Sequence, residues 1–255
     1  MKSPLKDPHN FKCARAVREM MPRGYPIKSY MFFSGQIEFG LLSHGFDIGV
    51  LTNKMVIFDF WKHALDRPWT VAMHAAAMHK HSTCREVVHT YQQEWMTYRE
   101  PYMRAAIFYL LNRYSNTGTI AHGDFDTDNF NAFSLETLKR MADIEYEIQL
   151  QYYPEFYVES GIKYANPEDI LLFPAGAYAP PMLLRGVSEG VDQYVVRHHA
   201  LKEHLLASGN KFVLCYKKNL QLLPLYRDFN LTYITKYGSV TSRLEKAEEI
   251  IINNF

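Results

Sequence analysis

The sequence predicts an α/β protein in which a parallel sheet is interrupted by a run of helices. Three observations predict it. Residues 10–51 alternate helix and strand signals around glycine turns. Residues 55–114 carry no strand signal, and helix formers dominate there, with breaks at Pro68 and Pro101. Apolar, strand-like runs then return between residues 147 and 235.

Each element follows from its local pattern. Asn10 to Met21 reads as a helix, ended by Pro22 and Gly24. Ser29 to Phe33 is a short aromatic strand. Gly35 turns the chain into a helix from Ile37 to Ser43, closed by His44-Gly45, and Phe46 to Leu51 is a second strand. Met55 to Tyr114 holds three or four helices. Ser115 to Asn131 is a polar loop, and Ser134 to Ala142 a further short helix. Strands follow at Glu147–Tyr152, Ile170–Phe173, Lys211–Tyr216 and Asn230–Thr235. A helix over Val191–Ala207 is capped by Ser208-Gly209. Residues 1–54 and 146–255 thus form the α/β core, and residues 55–145 a helical insertion after the second strand. No repeat or low-complexity segment interrupts this order.

Composition narrows the function. The chain has 255 residues, with 28 Lys and Arg against 27 Asp and Glu, a net charge of +1. That balance excludes a non-specific polyanion binder but leaves room for a local basic groove. Aromatics make up 15% of the residues, enough apolar surface to exclude a disordered chain. Cys13, Cys84 and Cys215 have no paired spacing and read as reduced thiols. No apolar run reaches membrane-spanning length, and the first residues form no apolar leader. The expectation is an intracellular, cytoplasmic protein that is neither secreted nor in a membrane.

In an open α/β sheet, ligands bind beyond the carboxyl ends of the strands. Two turns qualify. Phe32-Phe33-Ser34-Gly35-Gln36-Ile37-Glu38 runs from strand through glycine into helix, a geometry that either brings backbone to a cofactor or simply makes a tight connection. Phe173-Pro174-Ala175-Gly176-Ala177-Tyr178 follows a buried strand, and Tyr178 offers a stacking face. No metal site is expected. The Asp124–Asn129 run has Asn129 where a calcium loop needs Gly, and His74, His79, His81 and Cys84 lack zinc spacing. His198, His199 and His204 read as surface residues. Arg113 either contacts phosphate or staples helix to loop. Lys217, Lys218, Lys236 and Arg243 form a basic strip that either suits nucleic acid or is a solvated edge.

The segment Phe108-Tyr109-Leu110-Leu111-Asn112-Arg113-Tyr114-Ser115-Asn116-Thr117-Gly118 closely resembles the aromatic-Leu-Asn-Arg-x-x-x-Asn-Gly segment of the D12 class of adenine-N6 DNA methyltransferases, the Dam-like enzymes. His199–Leu205, Lys211–Tyr216 and Leu225-Tyr226-Arg227-Asp228-Phe229-Asn230 look like that family's closing helix, strand, Leu-Tyr-x-x-Phe helix and strand. The resemblance covers about residues 10 to 240. It implies a Rossmann-like methyltransferase sheet, S-adenosylmethionine as cofactor and DNA as partner; the candidate nucleic-acid-binding residues are Asn112, Arg113, Lys217, Lys218 and Lys236.

Four functional positions depart from the family. Its Asp-Pro-Pro-Tyr tetrapeptide accepts hydrogen bonds from the adenine amine and stacks the base. Here Pro174, five residues beyond Asp169, stands for the Asp, and Pro174-Ala175-Gly176 carries no side-chain acceptor. Tyr178 matches the family Tyr only across a one-residue insertion. In the cofactor turn, Phe33 and Gly35 match Phe-x-Gly-x-Gly, but Ile37 replaces the second Gly and fills the space a close approach needs. Asn53 replaces the acid that would hold ribose hydroxyls. Asn10-Phe11-Lys12 stands where the family has Gly-Gly-Lys.

Two readings follow. In the first, a degenerate methyltransferase fold has lost transfer chemistry, uses no cofactor, and serves as a binding or structural protein. The family is common in phages and other DNA viruses. The first reading therefore implies protein partners or a viral assembly, with the protein in host cytoplasm or virion. In the second, an active enzyme binds S-adenosylmethionine against Phe33, Gly35 and Asn53, stacks the base on Tyr178, and accepts from the amine through the carbonyls of Pro174, Ala175 and Gly176.

Overall fold

A computed structural model describes residues 3–7, 9–82, 84–118, 120, 125–144, 148–153, 161–176 and 197–255. Among them are eight strands in one mixed sheet and eight α-helices. The strands are β1 (Ile27–Ser29), β2 (Ile48–Thr52), β3 (Gln149–Tyr152), β4 (Ile170–Gly176), β5 (Phe212–Lys217), β6 (Asn230–Thr235), β7 (Val240–Thr241) and β8 (Ala247–Asn253). Their order is β3-β2-β1-β4-β5-β8-β6-β7. The first five are parallel, with Ile27 beside both Ile48 and Ile170. β8 runs antiparallel between β5 and β6. The order reverses between β1 and β4, which makes their carboxyl ends the topological switch point.

The central strands are apolar on both faces because both faces are covered, as parallel strands require. In β4, Ile170 and Leu172 face one core while Leu171, Phe173 and Ala175 face the other. In β5, Val213 and Cys215 alternate with Phe212, Leu214 and Tyr216 in the same way. The second face is closed by α8 (His198–Ser208) through Leu201 and Leu205, together with Tyr226. The first face carries α1 (Ala14–Met20) and α2 (Gln36–Leu42), and beyond them the helices of the insertion.

A helical segment lies between β2 and β3. It comprises α3 (Met55–Asp66), α4 (Pro68–His81), α5 (Arg85–Glu94), α6 (Pro101–Tyr114) and α7 (Ala132–Lys139). Pro68 and Pro101 open α4 and α6 at the first turn, where the missing N–H costs nothing. The Glu100 carboxylate caps α6 by accepting from the amides of Tyr102 and Met103. α6 is buried continuously from Ala105 to Asn112 and is the axis of the insertion. Its apolar side chains join those of the sheet face in one cluster, so the insertion has no separate core.

Several elements differ from expectation. The paired part of β1 is Ile27–Ser29, not Ser29–Phe33. At Met31 the backbone takes φ 61, which breaks the ladder, although Tyr30 N–H still reaches Leu172 O and Phe32 N–H reaches Leu51 O. β4 runs on to Gly176, so Pro174, Ala175 and Gly176 are strand rather than loop. The Leu225–Phe229 stretch is a series of turns, not a helix. The expected helix over Val191–Ala207 is described only from His198, residues 191–196 lying outside the described residues. β7 and β8 were not legible as strands. β8 is held by pairing on both edges, a tertiary circumstance no local pattern states.

Candidate functional site at the carboxyl ends of the central strands

Among the described residues, the turn after β1 is packed on two sides. Gly35 has φ 69, so a side chain there is strained whatever the space. The space is taken as well, since a Cβ at Gly35 would lie 2.7 Å from Phe39 Cδ2 and 3.0 Å from Phe32 Cε2. Trp61 of α3 packs against both rings, with centroids 5.4 and 5.0 Å away, and its indole N–H donates to Phe33 O at 2.6 Å. Ile37 is buried in the same core at 1% exposure. The ring of Phe39, on the next turn of α2, rather than Ile37, fills the place above Gly35.

The other side of the turn is covered by residues 3–7 and 9–12 of the chain. Ser3 Oγ donates to Ser34 O, and Ser34 Oγ donates to the Asp7 carboxylate. Phe11 N–H donates to Gln36 Oε1 at 3.3 Å. The segment reaches the end of β4 through His9, whose ring and Cβ stand 3.0 Å from where a Cβ on Gly176 would lie. It also reaches β8, where Glu249 accepts from the amides of Lys12 and Cys13 at 2.8 and 2.7 Å. At the insertion, the Asn112 amide pairs with Lys6 main chain, and Lys6 Nζ donates to the carbonyls of Arg113 and Ser115 at 2.7 and 2.9 Å.

Buried carboxyls gather under this cover. Glu38 of α2 is 2% exposed, and Ser29 Oγ donates to it at 2.7 Å; burial pushes its carboxyl up to about 7. Asp7 is pushed up to about 6, again by burial, with Ser34, the His9 amide and the His9 ring opposing. For Glu249 burial acts upward too, but His9 and the amides of Lys12 and Cys13 hold it below the usual carboxylate range. Cys13 is raised well above the usual thiol range, by Cys215 first and by burial next. In the sequence Cys13 stands out only as a reduced thiol and Glu38 only as part of the glycine turn, and Asp7 and Glu249 do not stand out. Acidic residues inside apolar runs, Glu38 in Gln-Ile-Glu-Phe and Glu249 in Glu-Glu-Ile-Ile-Ile, were the available signal.

The structure places the expected site residues unevenly. Phe33, Gly35 and Ile37 follow β1, and Pro174, Ala175 and Gly176 end the neighbouring β4, which places all six around the switch point. Asn53 sits just past the end of β2, half-buried. Tyr178 lies outside the described residues, as does Asp124. Asn112 is 0% exposed and its amide is committed to Lys6 and Gly118, so it presents nothing to a nucleic acid. Arg113, in the last turn of α6, is half-buried beside Lys6, with its Nε enclosed. Lys217 and Lys236 are exposed, and Lys236 lies over the Tyr237 ring at 5.0 Å. Lys218 is turned back toward the carbonyls of Leu244 and Glu245.

No protein-family model matches the chain, and no curated protein does.

His198, expected at the surface, is buried at the start of α8, with its ring nitrogens 2.9 Å from Tyr226 Oη and 3.1 Å from Tyr216 Oη. Burial pushes it down to about 4, so it is neutral. A cavity of about 260 Å³ lies at the opposite, amino ends of β1, β2 and β3, bordered by Lys28, Asp47, Gln149, Gln151 and Asp169. Among the described residues no cluster of His, Cys, Asp and Glu could hold a metal ion, and no helix is long and apolar enough to cross a membrane.

Proposed function

We propose that this chain is a degenerate relative of the D12-class adenine-N6 DNA methyltransferases that no longer transfers methyl groups and serves as a binding or structural protein, in the setting of a phage or other DNA virus. Strand order supports the descent. Five parallel strands in the order 3-2-1-4-5 and a helical insertion after the second fit the Rossmann-like arrangement that the Asn112–Gly118 motif implies.

One observation carries the loss of chemistry. The place where S-adenosylmethionine would approach the glycine turn is filled by Phe39 and Phe32 on one side and by residues 3–11 on the other. The residues present therefore do not fit that cofactor. The Pro174-Ala175-Gly176 stretch adds no acceptor side chain for an adenine amine, and it pairs with β5 at Cys215 and Tyr216. The near-zero net charge agrees, because an enzyme tracking phosphates uses a Lys or Arg at each contact.

The test is direct. S-adenosylmethionine is titrated into the full chain by calorimetry, and methyl transfer to duplex DNA is assayed. The expected result is no binding heat and no transfer. Micromolar binding with turnover overturns the reading in favour of an active enzyme with a variant loop. An electrophoretic shift at several salt concentrations then separates a DNA binder, through Lys217 and Lys236, from a protein-interaction module.

A further inference from the structure

Residues 3–12 are held the way a peptide ligand is held. The Asn112 side chain reads main chain in both directions, accepting from Lys6 N–H at 2.8 Å and donating to Lys6 C=O at 3.0 Å. Glu249 takes two successive amides, those of Lys12 and Cys13. The Lys6 ammonium is seated on carbonyls at the carboxyl end of α6, where a helix leaves acceptors without intrahelical partners and favours a cation. Gly118, at φ 84, lets the segment lie against the insertion, since a Cβ there would come 2.6 Å from Lys6 O. The partners of this segment come from α6, the turn before α2, β4 and β8, elements far apart in sequence that meet at the carboxyl edge of the sheet.

From this geometry we propose that the switch-point cleft is a groove for an extended, lysine-bearing peptide, and that its resident ligand is the chain's own residues 3–12, which act as a detachable strap. The contacts divide into two kinds. Inside the sheet, Phe39, Phe32 and Trp61 interlock as core. Along the strap, the amides of Lys6, Phe11, Lys12 and Cys13 donate to side chains of the fold, and the buried apolar anchors are Pro4, Leu5 and Phe11. Segments tied mainly by such bonds open at lower free energy than the packed strands beneath them. This inference needs only the geometry and stands whether or not the fold descends from a methyltransferase.

Hydrogen exchange on the full chain tests it, together with a fluorescent peptide of residues 3–12. The amides of Leu5, Lys6, His9, Phe11, Lys12 and Cys13 are expected to exchange at least a hundredfold faster than those of β5, with little dependence on urea. Lys6→Ala is expected to speed them a further tenfold and leave β5 unchanged. The labelled peptide is expected to bind the Lys6→Ala protein at least tenfold more tightly than the unaltered protein, and a scrambled peptide neither. Strap and β5 amides that exchange together with one urea dependence overturn the proposal. So does a Lys6→Ala protein in which both speed equally, or one that ignores the peptide or takes the scrambled one as well.

Discussion

The side-chain amide of Asn112 is matched to the main chain of Lys6 across 106 residues of sequence, with bonds of 2.8 and 3.0 Å, and donates again to Gly118 O at 2.9 Å. All of this happens at 0% exposure of Asn112. A residue in the middle of an Asn-Arg motif thereby becomes the joint between insertion, loop and strap.

Replacing Asn112 with Ala strands Lys6 N–H and two carbonyls near the interior. Each such group costs about 1–3 kcal/mol, and loosening of the strap recovers part of it. The expected loss is about 2–4 kcal/mol in urea denaturation. A loss under about 0.5 kcal/mol, the usual range for surface changes, would show that the pairing is not maintained in solution.

Gly118→Ala and Gly209→Ala separate strain from collision. Both glycines have positive φ, 84 and 69, but a Cβ at Gly209 meets nothing within 4 Å, whereas at Gly118 it meets Lys6 O at 2.6 Å. Each substitution loses about 1–2 kcal/mol to the left-handed backbone. Gly118→Ala is expected to lose about 1–3 kcal/mol more, the usual cost of overpacking, and to raise exchange at Lys6. Equal losses in the two variants would remove the close approach as an explanation.

Stability is expected to fall as pH rises from about 5 to 8. Glu38 and Asp7 are protonated in the folded protein up to about 7 and 6, while their ordinary values are 4.5 and 3.8. The folded state thus keeps protons the unfolded chain releases. Their contribution is complete below pH 4 and is lost as pH rises through 6 and 7. Glu38→Gln is expected to flatten the urea midpoint between pH 6 and 8. A profile unchanged by that substitution would count against a buried, protonated Glu38.

The opposite sign holds for His198. Its folded value, about 4, lies below the ordinary 6.5, so its contribution is present above 6.5 and is lost as pH falls through 4. His198→Leu removes the imidazole from the hydroxyls of Tyr216 and Tyr226 and is expected to cost about 1–3 kcal/mol at pH 7. It should also remove part of the acid sensitivity between pH 6 and 4. Acid profiles that superimpose for the two proteins would show that His198 titrates normally.

Ile37→Gly tests the proposed reading of the turn by placing a second glycine in it. It is expected to cost about 3–6 kcal/mol, from a core cavity plus a helical glycine, and still to bind no S-adenosylmethionine, because Phe39 continues to fill the space above Gly35. Cofactor binding by this variant would assign the blockade to Ile37 instead.

By itself the sequence determined what short-range pattern can carry. Apolar runs such as Ile-Leu-Leu-Phe and Phe-Val-Leu-Cys-Tyr state strands covered on both faces, and Pro68 and Pro101 state helix starts. Those signals are local, and they placed a run of helices after the second strand. Only the tertiary structure decided what fills the switch point. Ile37 is four residues from Phe33 and is the bulk that the sequence displays, whereas the ring over Gly35 is that of Phe39, brought there by one turn of helix and packed against Trp61. The strap is less legible still. Its bonds to Asn112 and Glu249 span 106 and more than 230 residues, and nothing in residues 3–12 marks them as a ligand. Their hydrogen-bonding groups find partners only once the sheet has brought α6, β4 and β8 to one edge, so the docking is a property of the assembled fold.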